Sequence, residues 1–267
     1  MITSQRQWFD VRNVCKRTVA TTSITLAALT MVAMCTNSLA QTAPATGKLS
    51  VVVDPAFGGK DHGPLIGERF LSKAFTLEMA SNIAEELRRT GIAAHLTRTD
   101  DTFVPYDELL LRMGETPIQP HSYVVVAVGE ASTTCVHILY PKPASKTSHT
   151  NQANLGDVMR AVAEDQYWTD SRTLANAIRT QIKNRSPRTC VELTSRGSYK
   201  AGGRVNLLPP LFVAPVVVIE FGKELARALK NDKAAKDVAS ISSSIASGVL
   251  NSIEASAKKL PTGTNKK

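Results

Sequence analysis

The sequence predicts a single α/β domain with a mostly parallel central sheet flanked by helices. Three runs rich in Val, Ile and Leu have the continuous apolar character of strands buried on both faces, and they cover residues 49–54, 123–128 and 215–220. Segments with helical periodicity alternate with these runs, as expected where helices connect parallel strands. A domain of roughly 200 residues is large enough to bury a complete core.

The remaining elements follow from periodicity and turn residues. The best-defined helix covers residues 72–90, because four large apolar residues recur on one face and Gly91 follows as a terminator. In chain order, the other predicted elements are an irregular Gly-rich loop at 57–71, a strand at 92–97, a short helix at 105–113, a strand at 135–140, a polar surface excursion at 141–167 with a helix at 155–163, a helix at 173–182, a loop or edge strand at 191–204 and a final helix at 238–253.

The first 40 residues have the composition of a secretory signal peptide. A basic segment is followed by an apolar stretch at 18–34, and Ser38, Leu39 and Ala40 form the small-x-small pattern of a signal-peptidase site. We therefore expect cleavage after Ala40 and a secreted or periplasmic protein of the cell envelope. The alternative is an uncleaved N-terminal anchor, which is disfavoured because the apolar stretch is short and Thr-rich for a membrane span. No transmembrane segment is expected after cleavage.

The rest of the chain divides into three parts. Residues 41–48 form a polar linker, residues 49–256 form the predicted domain, and residues 257–267 form a basic tail that we expect to be disordered.

The charge of the chain favours an anionic partner. The formal net charge is +9, and removing the four basic residues and one acidic residue of the predicted signal leaves about +6. Such a surface suits an anionic envelope polymer, although a basic surface exposed to solvent needs no specific partner. Nucleic acid is not expected, because aromatic residues make up only 5% of the chain and no basic stripe is interleaved with them.

Two cysteines, Cys135 and Cys190, remain after removal of the predicted signal. An even number of cysteines in an oxidising compartment predicts a disulfide between them. The alternative is two separate buried thiols. A zinc site on these cysteines is not expected from the sequence, because neither belongs to a CxxC or CxxH motif.

Five motifs, taken in order, resemble those of a known enzyme family. They are VVVDPAFGGKDHG at 51–63, LSKAFTLEMASNIAEELRRTGIAAHLTRTDDTFV at 71–104, SYVVVAVGEAS at 122–132, SRTLANAI at 171–178 and PVVVIEFG at 215–222. From about residue 49 to residue 253, the chain resembles the zinc-dependent N-acetylmuramoyl-L-alanine amidases. This resemblance implies an amidase-like fold and peptidoglycan as the partner, since that family cuts the bond between the glycan and its stem peptide.

The resemblance also implies a zinc site that this sequence does not preserve. The family's ligands are a His in the first loop, a Glu that opens the next helix and a His that ends the third strand. Phe57, Ser72 and Gly129 stand at these positions, and only the general-base position at the end of the last strand matches, as Glu220. Zinc needs N, S or anionic O donors at roughly 2.0–2.3 Å. We therefore expect no cofactor and no metal-assisted amide hydrolysis.

A displaced metal site is the alternative. His62 follows Phe57 in the same loop, Glu68 precedes Ser72, and His137 lies on the next strand. These three residues could hold zinc in an active amidase, and only then would zinc be a cofactor. Otherwise they are ordinary surface or strand residues, and this interpretation is favoured because a new site would also need its own supporting shell.

A basic, Gly-containing segment precedes the last strand. Its residues Arg196, Lys200 and Arg204 could contact substrate carboxylates or glycan, or could lie in a solvated loop.

Three functions remain open at this point. The favoured one is a pseudoenzyme, with a hydrolase fold but no catalysis, that binds the cell wall or an envelope protein. The second is an active amidase with a displaced site, and the third is a structural or interaction protein of the envelope with no wall binding.

Overall fold

The computed structural model describes residues 49–68, 70–105, 108, 120–142, 155–196, 200–201, 204–205 and 214–259. The predicted signal peptide, the linker and most of the predicted helix at 105–113 lie outside these residues. None of the described helices is both long and apolar enough to span a membrane.

The domain alternates strands and helices. The strands are β1 (Ser50–Pro55), β2 (Leu65–Ile66), β3 (Phe70–Leu71), β4 (Ala93–Leu96), β5 (Ser122–Val128), β6 (Cys135–Pro141), β7 (Cys190–Arg196), β8 (Lys200–Ala201), β9 (Arg204–Val205) and β10 (Val216–Phe221). The helices are α1 (Ser72–Arg89), α2 (Leu155–Arg185), α3 (Lys223–Leu229) and α4 (Ala235–Lys259), with a 3-10 turn at Asp232–Ala234.

Six strands form the central sheet in the order β4-β1-β5-β10-β6-β7. The first four are mutually parallel, β6 runs antiparallel to β10, and β7 runs parallel to β6. The predicted mostly parallel sheet is therefore confirmed. The carboxyl ends of β1, β5 and β10 meet at one edge of the sheet, where open α/β folds place their sites.

Helices pack on one face of this sheet and form the larger core. The apolar face predicted for α1 is buried there, together with residues of α2 and α4. Helices α2 and α4 approach closely at Gly248, because a Cβ at this position would lie 2.4 Å from the Cα of Ile178. A smaller cluster on the other side of the sheet contains Ala56, Phe57, Val104, Tyr123, Val125, Ala127, Leu139, Val216 and Val218.

The longest helix corrects one sequence-based expectation. A polar excursion at 141–167 with a helix at 155–163 was expected, followed by a separate helix at 173–182. Instead, a single helix, α2, runs unbroken through Leu155–Arg185. The stretch contains no Pro and, after Gly156, no Gly, so nothing in it ends a helix. Its amphipathic period was recognisable only in the second half, where Leu174 and Ile178 are buried.

Three further segments add detail to the expected elements. The Gly-rich loop at 57–71 contains a short hairpin formed by β2 and β3. Helix α4 continues to Lys259, three residues beyond the predicted end of the domain at 256, and residues 260–267 lie outside the described residues. The segment at 191–204 contains β7 at the sheet edge and then β8 and β9, which pair with each other.

Candidate functional site

The candidate site is the edge of the sheet where β1, β5 and β10 end. Phe57 follows β1, Gly129 follows β5, Glu220 is the penultimate residue of β10, and Ser72 is the first residue of α1. The fold therefore places the four positions that the resemblance singled out at the ends of the elements expected to carry them.

Phe57 closes the first of these positions with an apolar ring. Only 2% of its surface is exposed, and its φ of 69° is unusual for a residue other than glycine. The ring lies against Gly63, where an added Cβ would come within 2.7 Å of it. Phe57 is thus part of the smaller apolar cluster and offers no donor atom to a metal.

Ser72 holds the first loop to the start of α1. The residue is fully buried, and its hydroxyl donates a hydrogen bond to the backbone carbonyl of Pro64. The hydroxyl is therefore already engaged within the protein and serves to fix the loop.

Glu220 fills the space beside Gly129. A Cβ on Gly129 would lie 2.6 Å from Oε1 of Glu220 and 2.7 Å from its Cδ. These distances are far shorter than a normal contact, so no larger side chain fits at position 129 while Glu220 keeps this position.

A buried arginine, which sequence reasoning did not single out, supports the loop. Arg98 is 4% exposed and donates to the backbone carbonyls of Pro55 at 3.1 Å, of Ala56 at 3.2 Å and of Lys73 at 2.9 Å. One guanidinium therefore joins the end of β1 to the first turn of α1. Arg98 lies within the motif at 71–104, but the sequence did not indicate this role.

A lysine and an aspartate extend this support. Lys73 Nζ donates to Asp101 Oδ2 at 2.6 Å and to the Gly59 carbonyl at 2.8 Å. The Gly59 amide in turn donates to Asp101 Oδ1 at 2.9 Å. The hydrogen bond from Lys73 lowers the pKa of Asp101 below its ordinary value of 3.8. The loop is thus held by charge-assisted hydrogen bonds.

The residues of the hypothetical displaced site are not brought together. His62 and Glu68 are exposed. His137 lies on β6 with its Nε2 3.0 Å from Thr133 Oγ1 and its Nδ1 3.1 Å from Glu192 Oε2. The group of three or more potential metal ligands found among the described residues contains none of the three.

Two cysteines start neighbouring strands and form a disulfide. Cys135 and Cys190 are directly paired at the beginnings of β6 and β7, with their Cα atoms 4.5 Å apart and their sulfur atoms bonded at 2.07 Å. The bond links residues 55 positions apart in sequence.

The predicted basic segment is divided between strands. Arg196 is exposed at the end of β7. Lys200 and Arg204 belong to β8 and β9, and the positions of their side chains lie outside the described part of the structure. Arg196 is paired with Pro141 at the carboxyl end of β6, and β6 runs antiparallel to β10, so Arg196 lies at the edge of the sheet opposite Glu220. At the Glu220 edge, Lys223 donates to Glu130 at 3.0 Å.

Comparison with known proteins identifies the family. The family model described as N-acetylmuramoyl-L-alanine amidase matches residues 51–253. The chain belongs to this amidase family.

Two curated relatives share parts of this amidase domain. The N-acetylmuramoyl-L-alanine amidase AmiA of Escherichia coli is 44% identical over 64 residues, which are 24% of this chain and 22% of AmiA. The probable cell wall amidase LytH of Staphylococcus aureus is 32% identical over 131 residues, which are 48% of this chain and 41% of LytH. The aligned regions therefore span less than half of either relative.

Solved amidase structures share the fold. The amidase AmiC2 of Nostoc punctiforme superposes with a TM-score of 0.54 at 19% identity, over 78% of this chain and 98% of AmiC2. The CwlD amidase of Clostridioides difficile, solved in complex with the GerS lipoprotein, gives 0.54 at 18% identity, over 78% of this chain and 100% of CwlD. At these identities the likeness shows the fold alone.

The zinc ion that the resemblance implies does not fit the residues at the ligand positions expected from it. The first ligand position carries a buried apolar ring, and the second carries a buried hydroxyl that donates to a backbone carbonyl. The third has no side chain, and Glu220 occupies its space. These positions supply none of the N, S or carboxylate donors that tetrahedral zinc requires.

Proposed function

We propose that this chain is an exported, non-hydrolytic member of the amidase family that binds peptidoglycan. The observation that carries the proposal is that Phe57, Ser72 and Gly129, which stand at the three ligand positions, leave no donor atom available to a metal. Amide hydrolysis by this fold needs a metal to acidify water and polarise the carbonyl. A general base alone contributes only about 10²–10⁴-fold.

The surroundings of these positions support binding without hydrolysis. The Arg98 contacts still hold the first loop against α1. Glu220 still lies near the end of β10, at the edge of the sheet where ligands bind in open α/β folds. The family's architecture is therefore retained around the positions that lack metal donors. This favours a surface that still binds peptidoglycan.

Three features support an envelope location. The N-terminal 40 residues have the composition of a signal peptide, the disulfide suits an oxidising compartment, and the chain keeps a positive charge of about +6 once that signal is removed. One relative is named as a probable cell wall amidase.

Co-sedimentation with purified, insoluble peptidoglycan tests the proposal. The exported protein should sediment with sacculi, and Lys60→Ala should weaken this binding more than Lys258→Ala. Both lysines are exposed and both changes remove one charge, but Lys60 lies in the loop that follows β1, whereas Lys258 lies near the end of α4. Equal effects would indicate unspecific charge attraction, and no sedimentation would contradict wall binding.

An envelope protein is the alternative partner. The CwlD structure contains a lipoprotein partner, so a family member can bind a protein. Cross-linking in intact cells would favour this alternative if it captured one protein while sacculi bound none of the chain. A chain that neither sediments nor cross-links would be a structural protein without wall binding.

A further inference from the structure

Four potential metal ligands lie side by side on β6 and β7. In the parallel pairing of these strands, Cys135 is opposite Cys190 and His137 is opposite Glu192. Each strand therefore contributes two donors in alternate positions, Cys-x-His on β6 and Cys-x-Glu on β7. The sequence did not reveal this set, because the donors are 55 residues apart along the chain.

All four side chains belong to the same face of the sheet. Alternate residues of a strand share a face, and directly paired residues of neighbouring strands do too. The intervening residues Val136 and Val191 are buried in the larger core on the opposite face. The four donors thus point away from that core.

The distances among Cys135, Cys190 and Glu192 suit a single ion, and His137 lies beside Glu192. The two sulfur atoms and one carboxylate oxygen of Glu192 lie within 4.8 Å of one another. His137 Nδ1 is 3.1 Å from Glu192 Oε2. The other ring nitrogen, Nε2, is 3.0 Å from Thr133 Oγ1, which holds the ring with Nδ1 towards Glu192. A carboxylate that binds a metal is commonly held by such a contact from a neighbouring side chain.

We propose that, when the Cys135–Cys190 disulfide is reduced, Cys135, Cys190 and Glu192 bind one Zn²⁺ ion, and His137 orients the Glu192 carboxylate. Two thiolates and a carboxylate are ligands that tetrahedral zinc accepts, and a water can complete the four. This site shares no residue with the family's metal positions, and it does not depend on the proposed wall binding.

Redox state decides between the two forms. A thiol reductant supplies two electrons and two protons, so that the disulfide becomes two cysteine thiols and the reductant becomes its own disulfide. Each thiol then releases a proton to solvent as its sulfur binds zinc. The disulfide form cannot bind zinc in this way, because its sulfur atoms are bonded to each other.

Zinc titration against a chromophoric chelator tests the site. Every sample is the full chain with Cys15→Ser and Cys35→Ser, so that Cys135 and Cys190 are the remaining cysteines. With a phosphine reductant present we expect one tightly bound Zn²⁺ per chain, and without it none. Cobalt in place of zinc should show a thiolate-to-metal charge-transfer band in the reduced form.

Single substitutions identify the ligands. Cys190→Ser should abolish tight binding, and His137→Ala and Glu192→Gln should each weaken it by about tenfold or more. His62→Ala is the control and should leave it unchanged, because His62 is exposed in the first loop. Since the His137 and Glu192 variants keep the disulfide, thermal melts of their oxidised forms show that they fold.

Four results would overturn the site. They are no binding by the reduced chain, equal binding by the disulfide form, unchanged affinity in both the His137 and Glu192 variants, and loss of binding in His62→Ala. The last result would instead support a displaced site in the first loop.

Discussion

The carboxylate of Glu220 occupies the space that a side chain on Gly129 would need. Oε1 would be 2.6 Å from a Cβ at this position. In the resemblance to the amidase family, position 129 carries a metal ligand and position 220 the general base. In this chain the general-base position is retained, but its side chain covers the ligand position.

Gly129→Ala should therefore lower the free energy of unfolding by at most about 1 kcal/mol, the low end of the cost of overpacking, because the clashing atoms belong to the flexible end of the half-buried Glu220 side chain. In a Glu220→Ala background the same change should cost clearly less, because the clashing group is gone. Urea denaturation of the two single variants and the double variant measures this coupling. Additive costs would mean that the two positions do not compete for space.

Phe57 provides a test of both packing and backbone conformation. Phe57→Ala should cost about 3–5 kcal/mol of stability because a buried ring is lost. Phe57→Gly should cost no more than Phe57→Ala, since glycine adopts the φ of 69° without strain.

Phe75 is the matched control, because it is equally buried but lies within α1. There the glycine variant should be less stable than the alanine variant by about 1 kcal/mol. The same order at both positions, with glycine the less stable variant, would contradict the strained conformation at Phe57.

The contact between Lys73 and Asp101 predicts a dependence on pH. Because the pKa of Asp101 is lowered in the folded protein, its stabilising contribution is present above the unfolded pKa near 3.8 and is lost as the pH falls through the folded pKa. The Asp101 side chain is 58% exposed, so we expect less than about 1 kcal/mol.

Denaturant unfolding from pH 7 down to about pH 2 measures this contribution. Asp101→Asn should be less stable than the parent at pH 7, and the difference should vanish at the acid end. Asp100→Asn, a change in an exposed neighbour, should show no such trend. A difference that persists at the acid end would show that the contribution of Asp101 does not come from its charge.

The disulfide should form in the exported protein. In the Cys15→Ser, Cys35→Ser background, thiol titration under denaturing, non-reducing conditions should detect no free thiols. Replacing Cys135 and Cys190 by serine should lower stability by about 2–4 kcal/mol, because the closed loop restricts the unfolded chain. In buffer with a chelator, a reductant should lower the melting temperature of the parent. It should leave the melting temperature of the variant that lacks Cys135 and Cys190 unchanged. Two free thiols per chain would rule the bond out.

The fold was predictable where one physical signal dominated. The apolar runs of β1, β5 and β10 are buried on both faces, and this pattern in the sequence sufficed to predict parallel strands. Helix α1 was similarly defined by its apolar face. Helix α2 was not predicted as one element, because much of it is polar. In its first half the apolar residues do not recur at a clear helical spacing, so no sequence pattern marks the helix there.

The candidate site was predictable in position but not in its contacts. The motifs placed Phe57, Ser72, Gly129 and Glu220 at the ends of their elements. That Glu220 covers Gly129 depends on how two separate strand ends pack, which no local pattern encodes. The cluster on β6 and β7 likewise depends on strand register, since its two halves are distant in sequence.

Release of stem peptides from purified sacculi tests the central claim most directly. The exported, disulfide-bonded protein is incubated with sacculi and added zinc, beside its Glu220→Gln variant. We predict no release above background from either protein, because Phe57, Ser72 and Gly129 cannot hold the metal that the reaction requires. Zinc-dependent release by the parent that is lost in Glu220→Gln would contradict the account and show that Glu220 still acts as a catalytic base.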